Sequence, residues 1–398
     1  MNNKILLLLD NSVNAIPFML AARKMGYFVI TTGLFENEYA QSFANLYIKE
    51  DYKDFDKISY IFKKYRASAI SCGTHDDMSY TASYIDNKYQ IGGHDTLDTI
   101  KILHLKDKFK EFTRSIGVHT PLSYQIRSIE EAKSLLSIIK FPMILKPVDK
   151  AGGKGVIVIN NEQDYLKGIT YSLETSINKI VLVEQFVAGT LHSFTTFIHN
   201  QKVVFHCSYD DYSYLNKYMT NSGVVPATHN NRTNIDNIII GDIEKMSRAL
   251  NLVDGLFHLQ YIIDENDNPH IIEVMRRAPG NWSTSVGSIS TGLNIDEWII
   301  RSECGQSLSF LPPKMYLTHG LYGYHTILGQ KNGIFNKVVI SNSIKENVFQ
   351  YFQWNKCGHE ITNYLYDKVG VAFLWFPSTK DMETKMKRIN ELIYIQYF

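Results

Sequence analysis

Two lysines and three glycines form the first arrangement in this chain with chemical meaning. Residues 141–147 read Phe-Pro-Met-Ile-Leu-Lys-Pro, an apolar strand that delivers one cation, Lys146, to its end. Ala151, Gly152, Gly153, Lys154 and Gly155 follow, and then a second apolar run over residues 156–159. Glycine lacks a Cβ, so its backbone N–H groups can fold closely over an anion, and Lys146 and Lys154 add positive charge suited to a polyphosphate. A plain hairpin carrying two solvated lysines has the same pattern, because glycine loops are common.

Two further groups lie downstream. An apolar strand over residues 180–183 runs into Glu184, Gln185, Phe186 and Val187, a stretch whose main chain can serve an adenine edge, and His192 follows where a sugar or phosphates would lie. A lone histidine is also often just a packed or solvent-facing residue. Residues 255–263 and 270–274 read as two strands around the turn Asp264, Glu265, Asn266, Asp267, Asn268 and Pro269. That turn sets Gln260 opposite Glu273, with Arg277 just beyond the second strand. A hard oxygen ligand beside a fixed guanidinium suits Mg·ATP chemistry, since the cation neutralises phosphate oxygens and the guanidinium stabilises a transferred phosphoryl group. An ordinary polar hairpin with a surface Glu–Arg pair is the other reading of these residues.

The elements that would carry these groups follow from pattern. At 398 residues the chain suits two or three packed domains, and 41 basic against 40 acidic residues leave a net charge of +1, without the basic surface that nucleic acid or a membrane attracts. The opening is β-α-β: residues 4–9 extended, 13–25 helical, Gly26 as the stop, 27–32 extended. A further strand over residues 67–72 ends at Gly73, Thr74, His75, Asp76 and Asp77, with a helix to residue 85. In such an open layer ligands meet the C-terminal edge of the strands, although a scaffold without ligand contact has the same pattern. The first turn, residues 10–14, lacks the glycines of a dinucleotide site, and no P-loop, H-E-x-x-H or G-x-S-x-G motif occurs. One helix is expected over residues 96–117. The last ninety or so residues hold short aromatic-rich runs at 319–326, 338–341 and 371–376, expected to be strands closed by a helix over 381–395. The apolar run at residues 5–9 reaches Asp10 before a signal segment would be complete, no stretch is long enough to span a membrane, and Cys72, Cys207, Cys304 and Cys357 lie far apart. A cytoplasmic protein with free thiols is the simplest expectation.

In order and spacing these marks resemble the ATP-grasp superfamily over about residues 96–305. They are the Asp107-Lys108 pair ahead of Gly117 and Pro121, the strand 142–146, the glycine loop 152–155, the stretch 184–187, and Glu273-Val-Met-Arg-Arg-Ala-Pro-Gly280. The resemblance implies an α/β (α+β) chain with a Rossmann-like pre-ATP-grasp domain over 1–95, an ATP-grasp domain of two subdomains over 96–305 with ATP between them, and a small β-rich C-terminal domain over 306–398, as in the amino-acid ligase and biotin-carboxylase-like branches. It implies ATP and Mg²⁺ as cofactors. Lys108, Lys146 and Lys154 would hold phosphates beneath Gly152, Gly153 and Gly155; Glu184, Gln185, Phe186 and Val187 would meet the adenine; His192 would contact the nucleotide. Glu273 and Gln260 would bind the metal, and Arg277, with Lys146 the catalytic pair, would contact a substrate carboxylate or acyl phosphate. The implied activity is carboxylate–amine ligation through an acyl phosphate, with a small carboxylic acid and an amine, amino acids included, as partners. A small-molecule kinase and a nucleotide-binding member without turnover are the alternatives, and a homodimer is the general expectation for soluble enzymes. Two positions depart from the pattern: Gln260 stands where a carboxylate is usual, and Met275 where asparagine is usual. Candidate substrate selectors are residues 74–77, 281–284, and Tyr209, Tyr212, Tyr214 and Tyr218.

Overall fold

The computed structural model describes residues 4–36, 38–149, 155–213, 223–228, 231–311 and 320–398. The chain opens as an α/β layer: β1 (Ile5–Leu8), α1 (Ile16–Lys24), β2 (Phe28–Gly33), β3 (Leu46–Lys49), α2 (Phe55–Lys64), β4 (Ala69–Ser71) and α3 (Asp76–Tyr89). The strands form one parallel sheet in the order β3-β2-β1-β4. Its C-terminal edge is tied by Asp10, whose carboxylate accepts from the Ser12 N–H at 2.8 Å and from the N–H and hydroxyl of Thr74 at 3.0 and 2.5 Å. Gly73 makes that closure possible: its φ is +74°, and a Cβ there would lie 2.3 Å from Asp10 Cβ. The turn delivers Asp76 and Asp77 to the start of α3, where the helix dipole favours acids.

The expected single helix over residues 96–117 is two. Leu105 takes extended backbone (φ −82°, ψ 118°), ending α4 (Leu97–His104) and opening α5 (Lys106–Ser115), which turns Phe109, Lys110 and Thr113 inward. Next comes a small antiparallel sheet, β5-β8-β6-β7 in order, made of β5 (Ser123–Ile126), β6 (Met143–Pro147), β7 (Ile157–Ile159) and β8 (Val181–Gln185) and backed by α6 (Ile129–Leu135) and α7 (Glu162–Thr175). Its own core includes Leu145, Ile159, Tyr165 and Val183.

The large sheet begins with β9 (Gly189–His199), β10 (Lys202–Tyr212) and β11 (Gly223–Pro226). After α8 (Arg232–Leu250) come β12 (Gly255–Asp264) and β13 (Pro269–Met275), then α9 (Ser283–Thr291) and α10 (Ile295–Glu303). One face of the sheet packs Phe194, Phe257, Leu259 and Tyr261 against Ile239 and Ile243 of α8. The other buries Phe197, Phe205, Cys207 and Tyr209 against Val286, Trp298 and the first helix of the N-terminal layer.

The tail is β-rich, as expected, and its strands divide between two sheets. β14 (Leu321–Leu328), β16 (Val348–Gln353) and β18 (Lys368–Phe376) extend the large sheet to eight strands, β13-β12-β9-β10-β11-β14-β18-β16, while β15 (Gly333–Ile340), β17 (Glu360–Ile361) and β19 (Ile393–Tyr397) form a second, three-stranded sheet. The closing helix over 381–395 is also revised, to α11 (Thr379–Met386), α12 (Ile389–Leu392) and the strand β19. Ile393 and Ile395 are buried while Tyr394 between them is exposed, the two-residue period of a strand, and Ile395 pairs with Val338. All four cysteines are free, and no described helix is long and apolar enough to cross a membrane.

Three histidines are packed into this framework. Burial lowers the pKa of His104 to about 4 and those of His258 and His325 to about 3. Each stays neutral in the fold but takes up a proton when unfolded below about pH 6.5, so the unfolded chain binds more protons and stability falls with falling pH. Chemical denaturation at pH 7 and pH 5 should find the protein less stable at pH 5, by roughly 2 kcal/mol for each of these histidines.

Candidate active site

The small sheet brings three buried charges together. Lys146 ends β6, and Glu184 lies on the adjacent β8, its side chain only 3% exposed. Lys146 Nζ bonds Glu184 Oε1, while Lys110 Nζ, arriving from α5, lies 2.9 Å from Oε2 without hydrogen-bond alignment. Burial opposes charge on Glu184, but the two ammonium groups outweigh it and hold the carboxyl below its ordinary range. Burial lowers the pKa of Lys110, and Glu184 offsets part of that effect. Two cations share one carboxylate, so the cluster keeps a positive charge suited to an anion.

This arrangement adds a buried lysine that the sequence reading did not single out. Lys108 is exposed, whereas Lys110 is buried on the same helix. Residues two apart on a helix point about 200° apart, so only one of them can face the sheet. The phasing with Phe109 and Thr113 was the available signal. Gly152, Gly153 and Lys154 lie outside the described residues; Gly155 is described, in the left-handed region at φ +74°.

The stretch after β8 is partly committed. The N–H of Gln185 bonds Leu122 O at 2.8 Å and that of Phe186 bonds Pro142 O at 3.3 Å, while no described group engages the Val187 N–H. The Glu184 side chain faces the lysines. His192 lies apart from the metal-position residues. It pairs with Tyr261 and Asp210, and strand alternation sends its ring to the α8 face, opposite that of Gln260 and Ser193. There it sits 2.9 Å from Asp210 Oδ1 and 2.7 Å from Thr190 Oγ1, with 5% of its side chain exposed.

Gln260 and Glu273 are direct cross-strand partners, and Gln260 is also paired with Ser193 on β9. No hydrogen bond or ion pair engages the Glu273 carboxylate among the described residues, yet its charge acts on both Lys110 and Arg277. Glu273 therefore stands between the lysine cluster and the arginine. Its carboxylate and the Gln260 amide oxygen are hard donors on one face of a rigid sheet, which fits a small divalent cation.

Beyond β13 the two arginines divide their work. Arg276 is spent on structure: Nε bonds Asp95 at 2.6 Å, Nη2 bonds Val253 O at 2.6 Å, and Nη1 bonds Leu256 O. Arg277 Nε bonds Asp76 Oδ1 at 2.7 Å and Nη1 bonds Ala278 O at 2.9 Å. Burial would raise the Asp76 pKa, but the charge of Arg277 holds it well below the usual carboxylate range. Within the selector loop proposed from sequence, Asp76 is the residue that reaches Arg277. Tyr214 and Tyr218 lie outside the described residues, and Tyr209 is buried with its hydroxyl donating to Ser283 O at 3.1 Å.

Residues 106–311 match the family model described as carbamoyl-phosphate synthase L chain, ATP binding domain. The chain belongs to that family. The carbamoyl phosphate synthase large chain of Helicobacter pylori is 23% identical over 273 residues, which are 63% of this chain and 23% of that protein. The chain thus spans about a quarter of the length of the curated relatives it matches. The L-amino acid ligase from Bacillus licheniformis superposes with a TM-score of 0.79 over all of both chains at 17% identity. The biotin carboxylase domain of the Hydrogenobacter thermophilus 2-oxoglutarate carboxylase, solved with MgADP and bicarbonate, reaches 0.79 over 99% of this chain and 90% of that one, also at 17% identity. The fold is the ATP-grasp fold.

Lys146→Ala removes one of the two cations on Glu184 and should weaken ATP binding by roughly 10- to 100-fold, the worth of a charge-assisted hydrogen bond. Lys108→Ala should leave affinity within about twofold, because an exposed charge is screened by solvent. Calorimetric titration of ATP into both variants checks the pair.

Proposed function

We propose that this chain is an ATP-dependent carboxylate–amine ligase that forms an amide through an acyl phosphate. The observation that carries the reading is Arg277, a buried guanidinium held by Asp76 and lying within the field of Glu273, whose charge also acts on Lys110 of a lysine pair suited to phosphate. Family membership and the ATP-grasp fold support the nucleotide half of the reading.

In this scheme a carboxylate oxygen of the acid attacks the γ-phosphorus of ATP, and ADP leaves. The amine lone pair then attacks the acyl carbon, phosphate leaves, and the surplus proton of the amine passes to the departing phosphate or to solvent. Phosphoryl transfer asks little covalent chemistry of a protein, so positioning and charge do the work. Lys110 and Lys146 hold the phosphates, and the free N–H of Val187 serves the adenine edge. Arg277, kept charged and oriented by Asp76, binds the carboxylate of the acid or the acyl phosphate made from it. Gln260 and Glu273 would hold Mg²⁺, which supplies neutralisation of phosphate oxygens when bound. No side-chain nucleophile is required.

The deciding assay measures ADP and phosphate release from Mg·ATP against panels of small carboxylic acids, each with and without amines. A ligase gives ADP release that depends on both and yields an amide; ADP release with a phosphorylated acid or alcohol as product identifies a kinase, and tight ATP binding without release identifies a binding protein. Arg277→Ala should lower turnover by roughly 10²- to 10³-fold, the usual cost of losing one charge-stabilising donor, while ATP affinity stays near that of the unaltered protein. Unchanged turnover would remove Arg277 from the reaction.

A further inference from the structure

The position that departs from the family pattern, Gln260, has a carboxylate beside it. In the large sheet β10, β9, β12 and β13 are consecutive neighbours, and Tyr209, Ser193, Gln260 and Glu273 lie in register across them. Asp211 follows Tyr209 by one pleat of β10, so its side chain leaves the same face. The contacts agree: Gln260 Nε2 donates to Asp211 Oδ2 at 3.2 Å, and Ser193 Oγ donates to Asp211 Oδ1 at 2.7 Å. Both carboxylate oxygens are therefore engaged on this face, one by the adjacent strand β9 and one by β12 beyond it.

We propose that Asp211 supplies, from β10, the negative charge that Gln260 lacks on β12, and that it also fixes which way the Gln260 amide points. The second part follows from the chemistry of the amide. A primary amide has one donor end and one acceptor end, and an ionised carboxylate only accepts. Beside Asp211 the NH₂ end must face the carboxylate, which turns Oε1 away from it, leaving that oxygen available as a hard ligand. The first part follows from the range of Coulomb forces. Because a partly buried strand face screens weakly, a carboxylate that touches a ligand side chain still attracts a cation held by that ligand, though less than one in direct contact does. Asp211 is thus a positioning residue with a charge role, and position 260 can carry a neutral side chain without emptying the row of charge. The inference rests on the reading above only in taking a divalent cation to bind with the nucleotide.

The test is Mn²⁺ affinity in the presence of ADP, read by electron paramagnetic resonance of free Mn²⁺, with thermal unfolding as the control for folding. Asp211→Asn keeps the shape and removes the charge, and it should weaken Mn²⁺ binding by about 10-fold or more, the usual cost of losing a partner of a metal ligand. Moving the charge across one strand, in the double variant Asp211→Asn with Gln260→Glu, should restore affinity to within about threefold of the unaltered protein. Gln260→Glu alone loses the amide bond to Asp211 and sets two carboxylates side by side, so it should not show the gain that it shows in the Asp211→Asn background. Asp211→Asn with unchanged Mn²⁺ affinity and unchanged unfolding temperature overturns the proposal, as does a double variant no better than Asp211→Asn. An unaltered protein that binds no nucleotide overturns the ligase reading itself, a result distinct from either of these.

Discussion

Arg276 and Arg277 follow one another off the end of β13, and each closes on a different carboxylate of the N-terminal part of the chain. Arg276 reaches Asp95 at 2.6 Å and Arg277 reaches Asp76 at 2.7 Å. Taking charges out of water is costly, and a buried pair persists only where its geometry is good and its spare donors are satisfied. Arg276 meets that condition with bonds to the carbonyls of Val253 and Leu256, which belong to the entry into β12. One side chain therefore ties the start of β12, the end of β13 and the approach to α4 together. The register between Gln260 and Glu273, and the relation of both to the edge of the parallel sheet, depend on that knot.

Around this frame charge is segregated. The wall formed by the small sheet and α5 carries two ammonium groups on one carboxylate, while the wall formed by the large sheet carries Glu273 and Asp211. A nucleotide polyphosphate bound with a divalent cation has the complementary arrangement, anionic oxygens toward one wall and a cation toward the other. Neither wall would favour such a ligand alone: the lysines would take any anion, and the acids any cation. Glu273 acts on Lys110 as well as on Arg277, so the two walls are near enough to be read together. Burial strengthens this, because the field of a group withdrawn from water is weakly screened.

What the sequence revealed depended on the range of the forces involved. The β12–β13 hairpin was legible because its turn is local: the Asp264 carboxylate accepts from the N–H groups of Asn266 and Asn268 at 2.9 Å each, and a register shift between Gln260 and Tyr261 then brings Gln260 opposite Glu273. The parallel layer was legible from its apolar runs and glycine stops. The choice between Lys108 and Lys110 was not, because it depends on which face of α5 meets the small sheet, a tertiary fact that the break at Leu105 shifts. The C-terminal strand was hidden for a similar reason. Residues 381–395 hold enough Met, Leu and Ile to satisfy a helical period, and only the pairing of β19 with β15 decides residues 393–397 for a strand.

The neighbourhood of Gln260 lies beyond both kinds of legibility. Ser193, Asp211, Gln260 and Glu273 are spread over three stretches of the sequence, and the strand order that joins them, β10-β9-β12-β13, skips across β11 and the long helix α8. A comparison made one position at a time sees a carboxylate missing at 260 and infers a weakened site. Electrostatic energy is a sum over neighbours, and a charge moved two strands along the sheet, about 10 Å between backbones, but brought into contact by its side chain changes that sum less than a charge removed. The identity of a ligand residue is therefore a weaker constraint on such a site than the total charge on its face of the sheet. A glutamine is tolerable at this position because its amide can both donate to a neighbouring carboxylate and keep an oxygen for a cation.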